Sequence, residues 1–151
     1  MHSSKPMPAI DPAKLISVSL DLRRFAEALL TPAATEAIDA ADVRRMIRLR
    51  RERDKYFDER LFADPAWDML LDLYAARLEG RRVSVSSLCT AAAVPPTTAL
   101  RWITLLCARG LLLRAADPAD GRRILIEISD DAAERMGAYF SVSGRRTEAG
   151  I

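Results

Sequence analysis

The sequence predicts a mainly α chain that carries one small β-hairpin, and three observations predict it. Apolar residues recur at spacings of three and four in several separate stretches. The turn "VPP" at residues 94–96 joins two helical stretches, the second of which opens on a proline. Finally, "LLLRAADPADGRRILIEIS" sets two apolar runs of strand type around a loop of turn formers.

Composition bounds the chain before any element is placed. Its 151 residues, half of them apolar, suffice for one domain with extensions and a true core. A net charge of +2 and a pI near 8.7 are only mildly basic, so nucleic-acid binding must be argued from local charge. Two cysteines, Cys89 and Cys107, with no export signal and no membrane-length apolar run, point to a reduced cytoplasmic setting without a membrane partner.

Residues 1–13 hold three prolines and little periodicity, and read as a flexible tail. From Lys14 to Leu30, Leu15, Val18, Leu22, Phe25, Ala26 and Leu29 outline an amphipathic helix that Thr31 and Pro32 end. A second helix is expected from Ala40 or Asp42 to about Phe62, roughly 30 Å long. Val43, Met46 and Ile47 make one end apolar, and Tyr56, Phe57 and Leu61 the other. Its middle, "RLRRERDK", reads as a solvated charged face or a partner contact. Residues 14–62 are thus N-terminal helices and a candidate dimerisation region.

"ADPAWDMLLDLYAARLEGRR" gives the clearest helix. Asp64 is its N-cap, Pro65 its first residue, Asp68 an acid at the positive end, and Gly80 its stop. Trp67, Leu70, Leu71, Tyr74 and Leu78 form an apolar stripe read as core rather than as a ligand-stacking surface. Val83 fits a short strand, and Ser84 an N-cap for a helix whose small residues Cys89, Ala91, Ala92 and Ala93 permit close approach of another helix.

The helix from Pro96 presents Thr97, Thr98 and Arg101 first, at an end with free N–H groups and positive polarity. That build suits a recognition helix whose N-terminal residues reach base edges and phosphates in a major groove. Ala99, Trp102, Ile103 and Leu106 face the core, and Gly110 ends the helix. Arg114, Arg122 and Arg123 flank the hairpin, as in a wing that contacts phosphate or the minor groove. Between residues 81 and 123 the arginines are 81, 82, 101, 109, 114, 122 and 123, against Asp117 and Asp120 alone. The expected fold is a winged helix-turn-helix with additional N-terminal helices. Its DNA-binding domain spans residues 63–141 and a flexible tail covers 142–151.

Three stretches resemble the MarR family of bacterial repressors: "VSVSSLCTAAAVPPTTALRWI", "RGLLLRAADP" and "DGRRILIEIS". The likeness covers about residues 64 to 136. It implies that Thr97, Thr98 and Arg101 face the groove, that Arg122 is the wing arginine, and that Asp120, with Gly121, shapes the wing tip. Ser84, Pro96, Arg114 and Arg123 complete the expected DNA-binding set. The family continues past the wing into a long pair of dimerising helices, whereas here only "DDAAERMGAYF" follows before the tail. The dimer then falls to residues 14–62, and its two-fold symmetry implies half-sites about one helical turn apart.

The cysteines sit among apolar neighbours and read as packing rather than as peroxide sensors. The single histidine, His2, lies in the tail, so metal-ligand spacing is lacking and no cofactor is expected. No phosphate loop or nucleophile–base pair supports an enzyme. The function expected is sequence-specific binding of double-stranded DNA by a homodimer, under a small-molecule or protein effector. The alternative is a winged-helix protein-interaction module, favoured by the modest charge and by Leu100 and Leu105 on the recognition helix.

Overall fold

The computed structural model describes residues 37–148, with side chains to Ser143, so the expected tail and the helix over 14–30 lie outside the described residues. In chain order the elements are α1 (Ala40–Glu52), two 3₁₀ turns (Arg53–Lys55 and Glu59–Phe62), α2 (Pro65–Leu78), β1 (Val83–Ser84), α3 (Val85–Ala91), α4 (Pro96–Ala108), β2 (Leu112–Ala116), β3 (Ile124–Ile128) and α5 (Asp130–Glu148). The strands form one antiparallel sheet in the order β1-β3-β2. Val83 lies opposite Ile126, and Leu112 opposite Ile128.

Local signals set most boundaries. The Asp64 carboxylate accepts the Trp67 N–H at 3.2 Å, and Pro65 supplies a first turn that needs no donor. Helix α2 ends in a left-handed glycine, Gly80 at φ +66°, with Gly80 N–H donating to Arg77 O and Arg81 N–H to Ala76 O. Helix α4 ends the same way at Gly110, with donations to Cys107 O and, from Leu111, to Leu106 O.

The core gathers around α2, which is buried on most of its circumference. Met69, Leu71, Leu73, Ala75 and Ala76 are all inaccessible or nearly so, while Leu78 is exposed. The single stripe expected from Trp67 to Leu78 is therefore too narrow: α3, α4, β3 and α1 all pack on α2 and enclose it from several sides. Leu88, Ala99, Ile103, Leu112, Ile126 and Met136 complete the centre. Trp67 is half-buried, its ring meeting Tyr139 edge-on at 5.1 Å, and Tyr74 stacks on Phe140 at 5.7 Å. Gly137 brings α5 close to α2, since a Cβ there would lie 3.4 Å from the Tyr74 hydroxyl.

Three expectations are corrected. The helix expected to reach Phe62 stops at Glu52, where the Arg53 guanidinium turns back to the Arg50 carbonyl at 3.1 Å. Beyond it Tyr56, Phe57, Leu61 and Phe62 remain exposed, so continued helix would have no apolar surface to cover. The charged middle of that helix is solvated only in part: Arg48, Glu52 and Lys55 are exposed, but Arg50 and Arg51 turn to α2. Arg44 binds Asp72 and Glu79, and Arg50 and Arg51 bind Asp68, because α2 carries its acids along the side that α1 packs against. The third correction concerns the end: instead of a flexible tail from 142, α5 runs to Glu148. Ser141 and Ser143 donate back to the Gly137 and Tyr139 carbonyls, which accommodates both hydroxyls within the helix.

Candidate nucleic-acid interface

Helix α4 sorts its residues by face. Ala99, Ile103 and Leu106 point into the core, while Thr97, Leu100, Arg101, Thr104 and Leu105 are exposed and Thr98 is half-buried. Pro95 at the N-cap offers no side-chain acceptor, so the tip, with Pro96 exposed at the first position, has no side-chain cap. The outward surface is thus Thr97, Arg101 and Thr104 along the middle, flanked by the two leucines.

The wing is built by its own backbone. Asp117 N–H donates to Arg123 O and Arg123 N–H to Asp120 O, both at 2.9 Å, which closes the loop between β2 and β3. The Asp120 carboxylate accepts the Arg122 N–H at 3.1 Å, and Asp117 accepts the Ala119 N–H at 2.9 Å. Asp120 therefore braces the main chain at the wing tip. Gly121 lies outside the left-handed region, and a Cβ there would meet nothing, so the loop geometry does not demand glycine.

Ion pairing decides where the positive charge is available. Arg81 pairs with Glu79 at 3.2 Å, Arg82 lies 3.9 Å from Asp117, and Arg114 donates to the Thr104 hydroxyl at 3.2 Å. Among the described residues no salt bridge engages Arg101, Arg109, Arg122 or Arg123, and all four are exposed. Arg101 stands on the outward face of α4. Arg122 and Arg123 line an open, mostly apolar cleft with Val85, Cys89, Val94 and Leu100, so wing and helix tip border one surface.

Some of the expected site residues are placed differently. Ser84 is only 6 % exposed, and its hydroxyl accepts the Ser87 N–H at 3.2 Å as the cap of α3; it supports the interface from below. Arg114 reaches α4 and links the wing to it. Sequence reasoning overlooked Thr104, whose hydroxyl receives Arg114 and donates to the Leu100 carbonyl at 3.0 Å. Its spacing of seven from Thr97 was the available signal. Cys89 and Cys107 are half-buried, free thiols packed against the core. No helix among the described residues is long and apolar enough to cross a membrane.

No protein-family model matches the sequence, and no curated protein does. Solved structures do match. A MepR–DNA complex of Staphylococcus aureus is 19 % identical, with 70 % of this chain and 85 % of that one covered at a TM-score of 0.51. S. aureus MepR bound to ethidium bromide is 17 % identical, with 76 % and 81 % covered at 0.51. A probable transcriptional regulator from Pseudomonas aeruginosa is 30 % identical, with 54 % and 60 % covered at 0.42. The likeness to MepR, together with the three-stranded sheet and the exposed helix tip, shows that this chain has the winged helix-turn-helix fold of MarR-type regulators.

Proposed function

We propose that the chain is a sequence-specific regulator of transcription that binds double-stranded DNA, with α4 in the major groove and the wing on the backbone or minor groove. The observation that carries this reading is that Arg101 on the outward face of α4, and Arg122 and Arg123 on the wing beside Pro96 and Leu100 of α4, are exposed and in no salt bridge among the described residues, while Arg81 and Arg82 are paired. Thr97, Thr98 and Arg101 read base edges, and Arg122 and Arg123 neutralise phosphates or enter the minor groove. Ser84, Pro96, Arg114 and Asp120 shape the frame that presents them.

In this reading the DNA-binding part begins at residue 63 and the chain acts as a homodimer through its N-terminal region, in the cytoplasm and without catalysis. MepR is recorded both with DNA and with ethidium, and a small-molecule effector is proposed here by that analogy. The test is selection of binding sites from a random duplex library at near-physiological salt, followed by anisotropy titration of wild type and Arg101→Ala. A palindromic site, bound by Arg101→Ala about 1 to 3 kcal/mol less tightly, is the expected outcome. Weak binding that shows no sequence preference and vanishes as salt rises would instead favour a protein-interaction module.

A further inference from the structure

Helix α3 ends differently from α2 and α4. Those two close on left-handed glycines, whereas α3 closes on Ala93, at φ +50°, followed by Val94 and two prolines. Pro95 and Pro96 have no N–H to return to the last carbonyls of α3. One of those carbonyls is met from another helix: Arg51 Nη2 donates to Ala91 O at 2.6 Å. A cation at a helix C-terminus also suits the negative end of its dipole.

The same Nη2 lies 3.1 Å from Asp68 Oδ2. Asp68 is 5 % exposed, and its other oxygen lies 2.8 Å from Arg50 Nε. One guanidinium thus joins the end of α1, the start of α2 and the end of α3, two residues before the strained alanine and five before α4 begins. Arg50 neutralises the remaining carboxylate oxygen, so the buried charge is compensated on both sides.

We infer that Arg51 is a positioning residue for DNA reading: it fixes the turn from which α4 projects and couples the end of α1 to the pitch of that helix. This inference rests on the proposed DNA-facing role of α4. Base-edge contacts are directional, and phosphate contacts tolerate small rotations better. Misplacing α4 therefore weakens binding to the selected site while leaving random duplex largely unaffected.

The test compares wild type, Asp68→Asn and Arg51→Lys on the selected site and on random duplex, below the melting temperature of each variant. Removing the Asp68 charge makes the protein more positive, which by itself tightens DNA binding. A positioning role gives the opposite sign, a loss of about ten-fold or more on the selected site with random-duplex affinity unchanged or raised. Arg51→Lys keeps the charge, but its ammonium ends one bond short of the place of Nη2, the single nitrogen that meets both carboxylate and carbonyl, and is expected to lose selectivity likewise. If Asp68→Asn does not fold, Arg51→Lys decides. An unchanged ratio of selected to random affinity in the folded variants overturns the positioning role alone. A wild-type chain without sequence preference overturns the DNA reading and the positioning role together.

Discussion

Leu100 and Ala93 are the residues whose roles contradict their chemistry most openly. Leu100 is 45 % exposed on the wing side of the α4 face, one residue before Arg101, and a branched apolar chain there suits the C5-methyl group of thymine. If α4 lies in the major groove, replacing one thymine per half-site by deoxyuridine should weaken wild-type binding measurably. The same replacement should cost nothing in Leu100→Ala, and equal losses in both proteins would refute the contact. Ala93 holds a left-handed backbone at a cost of about 1 to 2 kcal/mol. Ala93→Gly relieves that strain but frees the unfolded chain by about 0.4 to 1 kcal/mol, so chemical denaturation should show a net gain of roughly 0.5 to 1 kcal/mol. Residues whose partners are near in sequence were legible: Asp64, Gly80, Ser84 and Gly110 act on atoms within a few positions. Asp68 was not. Its place near a helix start made it look like a dipole acid, whereas its partners lie at positions 50 and 51 and only the packing of α1 on α2 brings them together.

Among the elements, the α1–α2 pair depends most on charge. Arg44 Nε lies 2.8 Å from Glu79 Oε1, its Nη2 3.0 Å from Oε2, and the same guanidinium reaches Asp72. The hydrogen bonds from Arg44, reinforced by Arg81, hold the Glu79 carboxyl down at about 2, against an ordinary value of 4.5. The unfolded chain therefore binds a proton on Glu79 before the folded chain does. The resulting stability is complete above about pH 4.5 and disappears as the pH falls through about 2. Because the pair is partly open to solvent, its contribution is on the order of 1 kcal/mol. Denaturant melts of wild type and Glu79→Gln should differ by that amount at pH 7 and converge near pH 2. A difference that persists unchanged at the lower pH would assign the effect to packing. The acids at 68, 72 and 79 fall on the side of α2 that meets the arginines of α1, a match visible in the sequence only once the two helices are known to pack together. The end of α1 was harder to foresee, since Tyr56, Phe57 and Leu61 carry a helical spacing that no neighbour covers.

At the scale of the whole molecule, a net charge of +2 says little about DNA, and the pairing pattern says more. Asp68, Asp72 and Glu79 compensate Arg44, Arg50 and Arg51, whereas Arg101, Arg109, Arg122 and Arg123 on the winged-helix part, like Arg45 and Arg48 on α1, are exposed and in no salt bridge among the described residues. Salt dependence therefore reports the interface directly. Each phosphate neutralised steepens the slope of log affinity against log salt by about 0.9. Replacing Arg122 and Arg123 together by alanine should make that slope shallower by about 2 for each chain bound, and hence by about 4 if two chains occupy one palindromic site. The Arg122→Ala/Arg123→Ala protein should fold as wild type does, because the wing is closed by main-chain bonds and the Asp120 carboxylate, none of which uses either guanidinium. Anisotropy titrations across a salt series, with stoichiometry from sedimentation, separate the outcomes. A change near 4 supports two wings on the backbone of one site, and a change near 2 supports a single chain on the DNA. An unchanged slope means that the wing does not touch the phosphates, and it would leave Arg101 and the tip of α4 as the whole electrostatic contact.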